Sequence, residues 1–237
     1  MKQQTFTISK AFLLLILNVA PQSGWAQRSS GATGGNQFYF EETFFPVYVS
    51  KNDAVSDAGG GNNQAVPTES GLGFDTRTTF GGIWNNLLYG LTFNYFSVNS
   101  SRPRTADFEG LDFTTKKLEW GPTIGYFLGS WRFTLTYFLS ATKEVTQKYT
   151  DQLTGIVTTD ETYSNKDGKG FQIGFGYDFA LGAGFGISPT LVYRSVSYGK
   201  QSYSVRTGAG TPYGSTSLQT KAIDNELKPM ITVTYRF

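Results

Sequence analysis

The side chains available for chemistry in this 237-residue sequence are carboxylates, guanidiniums, amines and hydroxyls, because histidine and cysteine are both absent. Their absence removes the commonest general base and metal ligand, the thiol nucleophile and any disulfide framework. The charged residues that stand out are Asp75, Arg77, Glu119, Arg132, Asp178, Arg194, Lys228 and Arg236, each set in a stretch rich in apolar or small residues. Groups of these types can do one of two things. Neighbouring acids such as Asp160 and Glu161 can exchange protons as an acid–base couple. Opposite charges gathered in one place can instead neutralise each other where water is excluded. Nothing in the pattern calls for a catalytic centre, a cofactor or a metal.

The elements that must position these charges alternate with period two, not 3.6, from Phe38 onward. Eight strands are expected: Gln37–Ser50, Gly71–Trp84, Leu87–Ser101, Thr114–Leu128, Trp131–Val145, Gly168–Leu181, Phe185–Gly199 and Ala222–Phe237. Most exceed the roughly 9–11 residues that a tilted strand needs to cross a membrane. Their connections are unequal. Tight turns fall at Asn85-Asn86, Gly129-Ser130 and Gly182-Ala183-Gly184, whereas Lys51–Ser70, Arg102–Phe113, Thr146–Asp167 and Lys200–Lys221 are long and polar. Short periplasmic turns alternating with long extracellular loops mark a transmembrane barrel, and an even strand count puts both ends of the chain in the periplasm. Within the third loop, alternation persists enough to extend its hairpin above the membrane.

The first 26 residues read as an address. Lys2 and Lys10 precede the apolar run Ala11–Leu17, Pro21 ends it, and Gly24-Trp25-Ala26 supplies small residues for cleavage. This is the layout of a signal peptide (residues 1–26), followed by a flexible leader (27–36) and the barrel (37–237). Cleavage there removes two of the 20 basic residues and leaves them level with the 18 acidic ones. A balanced chain gives no support to nucleic-acid binding.

One face of each strand is bulky and apolar. Phe171, Ile173, Phe175, Tyr177, Phe179 and Leu181 alternate with Gly170, Gln172, Gly174, Gly176 and Asp178 in the sixth strand. Large residues outward and small or polar ones inward reverse the order of a water-soluble barrel. The final strand alternates in the same way through Tyr235 and stops at Phe237. Such a strand with a terminal Phe is similar to the C-terminal signal by which outer-membrane barrels are recognised for insertion. The whole chain after the leader resembles the small OmpA/OmpX-type outer-membrane barrels in architecture. The resemblance implies a bacterial outer-membrane location, with outer-membrane lipid and the barrel-assembly machinery as partners. It also weighs against catalysis, since the barrel enzymes of the outer membrane rely on a histidine.

Carried inward, the alternation sorts the charges into two levels: Arg132, Asp178 and Arg236 near the periplasmic end, and Asp75, Arg77, Glu119, Arg194 and Lys228 above them. The facing of Glu41 and Glu42 stays open, because the alternation stumbles there. An eight-stranded bore is only wide enough for side chains to fill, so the charges are expected to pair and plug it. On the wall, Phe171, Phe175, Tyr177 and Phe179, with the outward prolines Pro122 and Pro189, admit two occupants: lipid, or a second copy in a homo-oligomer. Pro46 and Pro229 lie in the first and last strands. Each proline removes a ladder hydrogen bond and is expected to mark a bulge. The function that follows is that of a structural and interaction barrel. A narrow porin and a loop-mediated adhesin are the alternatives.

Overall fold

A computed structural model describes residues 37–51, 69–103, 110–151, 157–207, 212–218 and 222–237. The expected signal peptide and leader, residues 1–36, lie outside the described residues. The strands are β1 (Gln37–Lys51), β2 (Glu69–Trp84), β3 (Leu87–Arg102), β4 (Gly110–Leu128), β5 (Trp131–Thr150), β6 (Val157–Tyr177), β7 (Phe179–Gly182), β8 (Phe185–Thr207), β9 (Pro212–Leu218) and β10 (Ala222–Arg236). Strands β1 to β6 pair antiparallel in succession, β8 pairs with β6, β7 and β9, and β10 pairs with both β8 and β1, which closes the sheet into a ring.

Eight transmembrane strands are therefore present, with two departures from the sequence reading. The sixth is broken at Asp178 into β6 and β7, and β9 is an added strand above the barrel, paired with the upper part of β8. Much of the fourth loop expected over Lys200–Lys221 is thus a strand extension and a hairpin. The third loop is also mostly strand, since β5 runs to Thr150 and β6 begins at Val157.

The tight turns have a local cause. Asn85 and Asn86 take φ of 47° and 68°, Gly129 takes 61°, and Gly182-Ala183-Gly184 take 97°, 48° and 83°. Left-handed backbone is what two- and three-residue hairpins require, and Gly and Asn reach it at least cost.

Prolines mark three of the places where the ladders fail, although β5 and β6 also slip without one between Phe138 and Lys143. Pro122 sits where the β4–β5 register shifts, between Trp120 and Thr123. Continuing the β6–β8 register places Pro189 opposite Tyr177, at the break before Asp178. Pro46 and Pro229 meet at the closing seam. Phe38 and Phe237 exchange both backbone bonds, at 2.7 and 3.1 Å. Bonded pairs in an antiparallel ladder recur at every second residue. The next bonded pairs are Phe40 with Tyr235, Glu42 with Val233 and Phe44 with Ile231. The following one would join Pro46 to Pro229, and neither has an N–H to give. The β1–β10 pairing ends at Phe44 and Ile231, although both strands continue upward against β2 and β8.

The outer face is a belt of exposed apolar residues, including Leu91, Phe93, Trp120, Ile124, Phe133, Leu135, Ile173, Leu191 and Ile231. No helix among the described residues is long and apolar enough to cross a membrane.

Candidate functional site: the charged interior

The inward rows form stacked layers. At the periplasmic end Tyr39, Ile83, Leu88 and Phe127 make an apolar floor. The Arg236 guanidinium lies over the Phe127 ring at 4.2 Å and donates to Asp178 at 2.5 Å.

Above the floor, Glu41 is the centre of the lower cluster. Arg132 donates to its Oε2 and Arg77 to its Oε1, while the Tyr39 hydroxyl donates to Oε2 at 2.5 Å. Arg132 also approaches Asp178 at 3.5 Å and donates to Thr190 at 3.1 Å. The Arg132 and Glu41 side chains are each 1% exposed. A carboxylate so placed is tolerable only because both oxygens are met by guanidiniums.

A layer of hydroxyls sits at mid-height. Thr79, Thr92, Thr123 and Thr136 form a hydrogen-bonded row across β2–β5, with separations of 2.8, 2.5 and 2.7 Å. Thr43, Thr232 and Thr190 continue it across β1, β10 and β8, at 3.0 and 2.9 Å.

The upper cluster is denser. Arg194 pairs with Glu119, with Asp224 at 2.8 Å and with Glu226 at 3.2 Å. Lys117 pairs with Asp224 at 2.9 Å and with Glu226. Lys228 reaches Asp75 at 2.7 Å and Glu226 at 2.8 Å. Lys117 and Lys228 share the face of Phe96, each 4.8 Å from its centroid. Asn94 donates to Glu119 at 3.1 Å and to Gln172 at 2.9 Å.

All eight charges singled out in the sequence point inward and take part in these pairs. Their sorting by height needs one correction. Arg77, expected in the upper level, reaches down to Glu41, because a long side chain on a tilted strand spans more than one layer. The charged and phenolic residues missed were Tyr39, Lys117, Asp224 and Glu226. Asp224 and Glu226 share the parity of Lys228, and Lys117 that of Glu119, so continuing each alternation would have found them. The open facing is settled: Glu41 points into the bore and Glu42 points out.

On the wall, the aromatics of β6 and β7 stack mainly with their neighbours. Trp131 lies 4.9 Å from Phe175, Phe133 5.0 Å from Phe175, and Tyr177 4.9 Å from Phe179. Phe171 packs at 6.0 Å from Tyr193. Tyr235 and Phe237, read as an assembly signal, belong to an aromatic cluster at the seam: Phe237 lies 4.7 Å from both Phe38 and Tyr235, and Tyr235 4.4 Å from Phe185.

A closed antiparallel ring, apolar outside and charged inside, is a transmembrane β-barrel of the outer-membrane class. No family profile and no curated protein matches the chain. Among solved structures, a major outer membrane protein from Thermus thermophilus aligns over 86% of this chain and all of its own, at 12% identity and a TM-score of 0.50. Ail of Yersinia pestis aligns over 85% and 99%, at 14% identity and 0.41. OprG of Pseudomonas aeruginosa aligns over 86% and 97%, at 12% identity and 0.39. The likeness is one of fold, at the level of architecture expected of a small outer-membrane barrel.

Proposed function

We propose that the protein is a structural and interaction component of the bacterial outer membrane. Its lumen is plugged by its own side chains, and its working parts are the lipid-facing wall and the surface loops. The observation that carries this reading is the cluster of Glu41, Arg77 and Arg132, which draws β1, β2 and β5 together across the bore above an apolar floor. Outer-membrane lipid is its constant partner, and the barrel-assembly machinery is its partner during insertion. Single-channel recordings on the full-length protein in planar bilayers should give no large, steady conductance. Such a conductance would replace this reading with a porin.

Loop-mediated adhesion is the second reading, and the strand extensions favour it. The β5–β6 hairpin continues well above the apolar belt, and Tyr163 packs against Tyr203 at 4.6 Å between β6 and β8. Replacing residues 146–167 with an Asn-Gly turn should abolish surface attachment of cells that display the protein, if attachment is its role. Unchanged attachment would remove the third loop from consideration.

A further inference from the structure

Glu42 is out of place on the outer face. Among the described residues of the belt, from the periplasmic turns up to Leu72, Leu118, Phe171 and Tyr193, it is the one acidic or basic side chain that points outward. It lies five residues into β1, which is about 13 Å along the barrel axis, the middle of an apolar band about 25 Å tall. Thr78, directly across on β2, donates to its Oε2 at 2.6 Å. Thr76 also faces outward, opposite Phe44.

A second polar feature lies directly above. Past Phe44 and Ile231 the facing edges of β1 and β10 are not paired with each other, so backbone donors and acceptors line the seam from Pro46 and Pro229 upward. Hydrocarbon does not satisfy a carboxyl group at mid-depth, and the unpaired edge begins near the top of the band, about 23 Å up by the same measure.

We infer that this β1 wall, Glu42 with Thr76 and Thr78 and the open edge above them, is where a second copy of the chain docks within the membrane. The inference rests on the reading of the wall as a working surface and places the contact away from the β6 aromatics. Lipid tails bring no hydrogen-bonding group to this depth, whereas a second barrel inserted in the same orientation does. The patch is self-complementary, with the second Glu42 carboxyl oxygen to accept and the Thr76 hydroxyl to donate, Thr78 being spent on its own Glu42. A twofold axis along the membrane normal sets each patch against its mate, as an isologous interface requires.

The chain has no cysteine, so single-cysteine reporters carry no background. Phe44→Cys places one beside Glu42, and Ile173→Cys places one on β6, across the barrel. Both full-length variants are reconstituted in phosphatidylethanolamine–phosphatidylglycerol vesicles and oxidised with copper phenanthroline. The Phe44→Cys protein should form at least tenfold more disulfide dimer than the Ile173→Cys protein. Adding Glu42→Leu should cut that yield at least fivefold, while Glu42→Gln, which still accepts and donates, should keep it within twofold. Circular dichroism of each variant confirms that the barrel has folded. Equal yields at the two positions, a preference for Ile173→Cys, or indifference to Glu42→Leu would overturn the proposal. So would native mass spectrometry showing a monomer with one retained lipid. A dimer that conducts would overturn the plugged lumen and leave this interface standing; a non-conducting monomer would do the reverse.

Discussion

Glu41 and Glu42 are adjacent in the chain and face opposite worlds. Glu41 is enclosed, with two guanidiniums and a phenol on its carboxylate. Glu42 looks out from the middle of the apolar belt, with one threonine hydroxyl for company. The contrast shows that a carboxylate in a membrane barrel is governed by its parity. On the inward rows it is part of a network that holds strands together. On the outward rows it is a cost that only a partner can offset.

That contrast can be broken most severely from the inside. Glu41→Ala strands Arg77 and Arg132 in the bore, and should destabilise the barrel by about 3–5 kcal/mol in reversible urea unfolding from lipid vesicles. In the upper cluster, Arg194→Met removes one cation from three carboxylates, but Lys117 and Lys228 remain beside two of them. The expected loss is about 2 kcal/mol in the same assay. On the outside the sign reverses: Glu42→Leu should stabilise the detergent-solubilised monomer by about 1 kcal/mol, since it removes a carboxyl group from the lipid face. A loss of stability there would mean that Glu42 serves the fold of the single chain.

The smallest effect lies above the membrane. Asp167 meets Lys200 at 2.6 Å, and its hydrogen bond and charge hold the Asp167 carboxyl below the usual aspartate range. Lys200→Met should raise the Asp167 titration midpoint toward the ordinary value, as followed by carboxyl NMR. A depressed acid contributes stability above its unfolded pKa and loses it as pH falls. Both groups are exposed, so unfolding measured through that acidic window should scarcely differ between the two proteins.

Strand positions and tight turns were legible in the sequence because both are local. Asn85, Asn86, Gly129 and Gly182 announce left-handed backbone, and the alternation of large and small residues states which face meets lipid. The interior charges were legible for the same reason, wherever the alternation was followed to its end. Two kinds of fact were not. The facing of Glu41 and Glu42 was hidden because two acids in succession and the Phe44-Phe45 pair fit either parity. The meeting of Pro46 with Pro229 depends on the register between the first strand and the last, which no local pattern contains. Arg77 acts below its expected level because residue counts from a turn give the height of a Cα atom, while a guanidinium acts several ångströms away.

The threonines at the seam have a direction. Arg132 can only donate to Thr190, and Thr43 donates to Glu41 at 3.2 Å. Between those fixed ends each hydroxyl has a single hydrogen to pass on, so the line runs from Thr190 to Thr232 to Thr43. It begins on a cation, ends on an anion, and crosses from β10 to β1 beneath the place where the backbone ladder stops. The barrel is thus sewn shut by a polarised thread as well as by its sheet. To part the seam, the thread must be snapped between two opposite charges that each pull it taut.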